Sequence, residues 1–360
     1  MAGSALRTVL LIGLALVVSA CTSASAPIAT ATPGPREPST TTPATARPAS
    51  PNPTTAATVS GAVTLREFPV PRGSGPHDVA PAADGGIWYT AQRTGELGWL
   101  DPKTGQTRHI KLGQGSAPHG VVVGPDGAPW ITDGGLNAIV RVDPRTSEVK
   151  LFKLPAPNVG LNTAAFDFLG VLWFTGQTGY YGFVDPRDGR VAVFPSPRGA
   201  GPYGITSTRR GSVFYASLAG DHIAFVDVKT AAATAIDLPT RAQGARRVWS
   251  DSRGRVWVSE WNAGQLALFD PGPDGTLGTW KEWKLPGARP QAYAVFVDDR
   301  DIVWLSDFGT SALVRFDPAT EKFDVFPYAA GGNVRQIHGR PGEVFAPLSA
   351  LDRIVVVTTR

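Results

Sequence analysis

An aromatic residue set in a short apolar run returns seven times along this chain. It stands at Trp88 (IWYTA), Trp130 (PWITD), Trp173 (LWFTG), Phe214 (VFYAS), Trp257 (VWVSE), Trp304 (VWLSD) and Phe345 (VFAPL). By subtraction, the intervals are 42, 43, 41, 43, 47 and 41 residues. A period of this length means that one small unit is copied, and that each copy buries its apolar faces only by stacking on the next. A second marker keeps step: an apolar-Asp-Pro turn at Asp101, Asp143, Asp185, Asp270 and Asp317, with Asp227-Val228 as the variant.

The cleanest copy, residues 117–155, reads as four strands (GVVV, PWIT, AIVRV, VKLFKL) between the turn sequences PDG, DGGLN and DPRTS. None of these runs is long enough for a good helix. Four strands per repeat of this length predict an all-β, seven-bladed propeller over residues 62–360. The WD-type variant is excluded, because no GH…WD pattern occurs. The last copy has strands near residues 335–338, 344–347 and 353–358, and the chain stops before a fourth. The run TLREFPVP at 64–71 is expected to complete that blade and close the ring, leaving no open sheet edge. The Trp residues are read as packing between blades, and the Asp-Pro steps as turn chemistry.

Residues 1–61 have a different character. Arg7 precedes an apolar run at 9–18 that is short for a membrane span, so residues 1–20 read as a secretory signal peptide. Val18-Ser19-Ala20-Cys21 resembles the bacterial lipobox, which implies lipidation at Cys21. Cys21 is also the chain's single Cys, which excludes an internal disulfide and any CxxC metal site. From Thr22 onward Ala, Ser, Thr and Pro predominate, so residues 21–61 are expected to be a lipidated, disordered tether. An exported lipoprotein on the bacterial cell membrane is expected, with a monomeric head. The formal charge is +4 and the basic residues are scattered, so no nucleic-acid partner is expected.

In a four-stranded blade the innermost strand lines the axis, and the start of the first strand meets the end of the second at one mouth. The first-strand starts are His77, His119, Asn162, Tyr203, Arg246 and Arg335, with either Gln291 or Tyr293 from the sixth blade, which is read as having a longer first hairpin. Asp133, Glu260 and Asp307 end second strands. The most pointed cluster is His77, His119 and Asp133, able to act as a base with its orienter or as a metal site. Glu260 and Asp307 are a second acidic candidate near Arg246 and Arg247. There is no GxSxG, no HExxH and no phosphate-cradling Gly loop leading into a helix.

The passages GPHDVAPAADGGIWYT, APHGVVVGPDGAPWITD, GVLWFTG, GPYGITS, RVWVSEW and ARPQAYAV together resemble the streptogramin B lyase family, also known as the virginiamycin B lyase family. The resemblance spans residues 63–358. It implies a seven-bladed propeller that opens cyclic depsipeptides by Mg²⁺-assisted elimination at an ester, with a histidine base and acidic metal ligands from the last two blades. In this sequence those positions fall on Gln291, on Asn333-Val334-Arg335, and on or beside Leu348. His338 lies three residues past the expected histidine, an odd step that points it away in an alternating strand. The Pro-His steps occur instead at His77 and His119, with Ala117 in the place of the family glutamate. Three functions stay open: a lyase-like enzyme, a non-enzymatic propeller capturing a small molecule, cyclic peptide or glycan, and a protein-interaction scaffold.

Overall fold

The computed structural model describes residues 58–60 and 63–359. Six sheets have four strands each, with consecutive strands paired antiparallel from the axis outward. The six innermost strands are Pro76–Pro81, Pro118–Val123, Leu161–Phe166, Pro202–Ser207, Ala245–Ser250 and Ala292–Val297. In the seventh sheet His338–Arg340 is innermost, followed by Glu343–Leu348 and Arg353–Thr359. Val63–Pro69 then adds as the fourth strand, pairing from Val63↔Thr359 to Pro69↔Arg353. The N-terminal run therefore completes the last blade as expected. The ladder also reaches further back, because Thr58–Ser60 pairs outside Val63–Pro69 within the stretch expected to be tether. The signal peptide, Cys21 and the rest of the tether lie outside the described residues.

The core lies between the blades. One cluster joins Trp130, Ile139 and Phe152 of blade 2 to Leu172, Phe174 and Val184 of blade 3. Another joins Phe345, Ile354 and Phe68 of blade 7 to Ile87, Tyr89 and Leu100 of blade 1, so the closing interface is packed like the rest. Because each blade is covered on both faces, its second strands are buried throughout, with no solvent-facing alternation. The five marker Trp residues are at most 2% exposed. In blades 3, 5 and 6 the indole N–H donates to a turn aspartate, Asp167, Asp251 or Asp298. The third-to-fourth strand turns are held by an aspartate oxygen accepting the N–H two residues on, as from Lys103 to Asp101 and Arg145 to Asp143.

The 47-residue interval has a different origin from the one expected. The first hairpin of blade 6 matches its neighbours, and the extra length lies in the outer hairpin of blade 5. There Gln265–Pro271 and Gly278–Lys284 are seven residues each, against five in the matching strands of blade 4.

Each inner strand carries one extra residue at the same level. The register slips between Pro76 and Val79, Pro118 and Gly120, Leu161 and Ala164, Pro202 and Ile205, Ala245 and Arg247, and Ala292 and Val295. Blade 7 does the same, since four steps from Val334 to His338 face three from Leu348 to Phe345. A bulge leaves backbone groups outside the ladder and re-aims side chains. Here a hydroxyl one residue before the end of the second strand takes up those groups. Thr90 Oγ1 accepts the Asp78 N–H at 3.0 Å and donates to the His119 carbonyl of the next blade at 2.8 Å. Thr132, Thr175, Ser259 and Ser306 repeat both bonds, reaching the carbonyls of Asn162, Tyr203, Tyr293 and Val334. Ala216 of blade 4 and Pro347 of blade 7 have no hydroxyl to offer.

Candidate functional site: the bulge layer at the axis

These clasps position the side chains that meet at the axis. In a regular strand His77 and Asp78 would point to opposite faces. At the bulge they come together, and the Asp78 carboxylate meets His77 Nδ1 at 2.7 Å. The same Asp78 oxygen accepts from Arg247 Nη2 of blade 5 at 3.3 Å, and Arg247 Nη1 donates to Thr163 Oγ1 of blade 3. His77 and His119 lie ring against ring with centroids 3.9 Å apart. The Asn162 amide nitrogen is 3.3 Å from His119 Nε2, and Thr163 Oγ1 donates to Asn162 Oδ1 at 2.7 Å. Four blades thus share one buried network, with His77 2%, Asp78 1% and Arg247 4% exposed.

A second group stands beside it. The Tyr203 and Tyr293 hydroxyls are 2.5 Å apart, and Arg246 Nη2 donates to Tyr203 at 3.2 Å. The Arg246 guanidinium lies 3.6 Å from the Tyr293 ring centroid, 4.6 Å from that of Trp261 and 4.8 Å from that of Tyr203. Aromatic faces of this kind attract cations. Phe308 stacks on Tyr293 at 4.7 Å and meets Trp261 edge-on, so it backs the cage.

The electrostatics follow from burial and from the arginines. Burial drives His77 well below the usual imidazole range, and Arg247, Arg335 and Arg246 lower it further. Burial lowers His119 too, with His77 and Arg247 adding and Asp78 opposing. Both imidazoles are therefore neutral at pH 7, and the His77–Asp78 contact is an N–H to carboxylate bond that fixes the tautomer and leaves the lone pair on Nε2. Burial raises the Asp78 carboxyl, with Arg247 and His119 pulling it down. Burial alone would raise Tyr203, but Arg246 and Arg247 outweigh it and hold the phenol below its ordinary value, whereas burial and Tyr203 push Tyr293 up to about 12. Tyr293 is accordingly the donor in that pair. Three guanidiniums face one carboxylate here, so the layer is positive. Arg246 Nε and Arg335 Nε are buried without a partner among the described residues.

The acidic candidates do not join this layer. Asp133 accepts from Ser116 Oγ at 2.5 Å, from the Ala117 N–H at 2.9 Å and from the Leu136 N–H at 3.0 Å, so its carboxylate holds the loop before blade 2. The carboxylate beside the two histidines is Asp78. Asp307 likewise holds a loop, accepting from the Gln291 and Gly309 N–H groups and the Thr310 hydroxyl. Glu260 turns to Gln265 and Glu282 of its own blade. The sixth-blade choice resolves to Tyr293, because Gln291 is exposed and precedes the strand. Leu348 is buried in the core between blades 6 and 7. Asp78 and Thr163 were missed because simple alternation turns them outward. The signal that could have found them is the penultimate Thr or Ser of the second strand in five of the seven blades, whose recurrence marks a bulge opposite.

The Mg²⁺ implied by the resemblance can be tested against these donors. His77, Asp78 and His119 offer ligand atoms within 4.8 Å of one another. Mg²⁺ demands oxygen ligands in octahedral array, whereas this set is two imidazoles and one carboxylate already bonded to His77 and Arg247. Three guanidiniums nearby add repulsion. The residues do not fit Mg²⁺.

Fold and site together define a seven-bladed propeller with a histidine–arginine–tyrosine layer across its axis. The virginiamycin B lyase family matches residues 51–315, and the chain belongs to it. Among solved structures it is similar to a streptogramin B lyase (TM-score 0.76, 19% identity, covering 84% of this chain and 100% of that one). It is also similar to virginiamycin B lyase from Staphylococcus aureus (TM-score 0.76, 17% identity, 83% and 100% covered), including a catalytically inactive His-to-Ala form with quinupristin. At these identities the likeness establishes the fold. No curated protein sequence matches.

Proposed function

We propose that the head is a carbon–oxygen lyase that opens an ester in a cyclic peptide by elimination, with guanidiniums supplying the positive charge that a metal supplies in the family. The observation that carries this reading is the neutral His77, oriented by Asp78, facing a layer that holds Arg246, Arg247 and Tyr203. In this scheme His77 Nε2 takes the proton from the carbon α to an acyl carbonyl. The C–H electrons form the α,β double bond as the β C–O bond breaks, and the carboxylate departs with that bond's electron pair. The arginines stabilise charge developing on the carbonyl and on the leaving carboxylate. Water is not consumed, so the linear product has the mass of its substrate.

The test is incubation of the purified chain with a streptogramin B, with EDTA and with added Mg²⁺, followed by chromatography and mass spectrometry. Linearisation at unchanged mass, insensitive to EDTA and lost in His77→Ala, is expected. No linear product refutes the reading. Capture without turnover is a second reading, favoured by the Tyr203–Tyr293 bond and the caged Arg246, which leave His119 9% exposed. Saturable binding with the ligand recovered intact supports it. Cys21 and the sequence that follows support a lipid-anchored, tethered head at the bacterial cell membrane. Loss of membrane retention in Cys21→Ala checks the anchor.

A further inference from the structure

Beyond the bulge layer, away from the mouth, the ring becomes lopsided. The inner-strand residues that pair with the repeated aromatics are Ala80, Val122, Ala165 and Thr206 in blades 1 to 4. In blades 5 to 7 they are Trp249, Phe296 and His338. The three rings touch: Trp249 lies 4.9 Å from Phe296 and 5.0 Å from His338, and Phe296 lies 5.5 Å from His338. Trp249 and His338, with Phe296 against both, form one wall of a cavity of about 340 Å³ that Val122, Ala165 and Thr206 of blades 2 to 4 also line, together with Phe166, and that Asp78, Arg247 and Gln336 floor. That volume falls at the lower end of small-molecule pockets, which run from about 300 to 1,000 Å³.

Two of the polar groups around this cavity are donors with no partner among the described residues. The Trp249 indole N–H makes no bond among the described residues, unlike the indoles of Trp99, Trp130, Trp173, Trp257 and Trp304, which bond aspartates. Gln336 accepts the Val79 N–H through Oε1 at 2.9 Å, and its NH₂ bonds nothing among the described residues. His338 Nδ1 lies 2.7 Å from the Gly339 nitrogen and 3.1 Å from the Gly339 carbonyl oxygen, and its Nε2 has no partner among the described residues. Burial holds His338 down at about 4, so it is neutral. The charges of Asp78 and Arg247 cancel in their own pair. Arg246 and Arg335 do not line the cavity, so a charged ligand would lose its hydration there with no unpaired charge in the lining to replace it.

We infer that the end of the axial channel opposite the mouth is a second ligand site, which takes a neutral, flat apolar molecule bearing carbonyl oxygens, such as an aryl lactone or ester. The aromatic wall stacks its body, and the Trp249 and Gln336 donors meet its acceptors. Coumarin is a suitable probe, with coumarin-3-carboxylate as its charged counterpart, titrated calorimetrically into the full chain. Saturable coumarin binding is expected, with the carboxylate at least about tenfold weaker. Trp249→Phe keeps a ring but removes one donor, and should weaken binding by a few-fold to about tenfold. Ala165→Phe fills the cavity and should weaken it more, and Trp261→Ala at the mouth should leave it unchanged. If Ala165→Phe does not give a cooperative melt, Trp249→Phe decides. The proposal is overturned by absence of saturable binding up to coumarin's solubility, by tighter binding of the carboxylate, or by binding that Trp261→Ala abolishes and Trp249→Phe leaves intact.

Discussion

Glu260 is fully buried at the end of the second strand of blade 5. One carboxyl oxygen accepts from Gln265 at 3.0 Å, and the other has no partner among the described residues. Burial, followed by the neighbouring Glu282, raises its pKa from 4.5 to about 8. A carboxyl with a raised folded pKa binds more protons in the native state than in the unfolded chain. Its contribution to stability is thus complete below about pH 4.5 and is lost as pH rises through 8. At about 1.4 kcal/mol for each tenfold change in acid strength, a rise from 4.5 to about 8 sets a ceiling of about 5 kcal/mol. Glu260→Gln keeps the volume and removes the charge. Relative to wild type the variant should be near neutral at pH 4.5 and more stable by about 2–4 kcal/mol at pH 8. Urea denaturation of both proteins at intervals from pH 4.5 to 8.5 measures this, and the difference between them cancels the contribution of the histidines. A difference that does not grow with pH would show that Glu260 is ionised in the native state and that its burial is relieved in some other way.

Three further outcomes are expected. Asp78→Asn leaves Arg247 buried without its counter-charge and should cost about 3–5 kcal/mol, most of it recovered in Asp78→Asn/Arg247→Met; additive losses in a double-mutant cycle would contradict the coupling. Ala216→Ser supplies the missing clasp between blades 4 and 5, within reach of the Gly204 N–H and the Arg246 carbonyl, and should raise stability by about 0.5–1.5 kcal/mol in chemical denaturation. The lowered pKa values of His77 and His119 mean that the unfolded chain takes up protons the native state refuses, so stability falls as pH drops below about 6.5; His119→Asn should flatten that limb in melts between pH 4 and 7.

How far the sequence could be read depended on distance along the chain. The blade count, strand order and ring closure were legible because they rest on local pattern and on a repeat compared with itself. His77, His119, Asn162, Tyr203 and Arg246 were legible as a set because one strand position recurs in each copy. Asp133 and Asp307 were misplaced. A carboxylate at a strand end looks the same in sequence whether it faces the axis or bonds loop N–H groups, and here the loop amides hold it.

The sequence by itself determined the propeller, since seven copies of a unit with two apolar faces can bury them only by stacking in a closed ring. The tertiary structure alone decided what stands at the axis. The bulges turn Asp78, Thr163 and Arg247 inward, and the ring brings residues as far apart in sequence as Asp78 and Arg247 to 3.3 Å. The physical reason is that a bulge's aim and a contact across the axis depend on the pairing of several strands at once, and no single stretch of sequence contains that information.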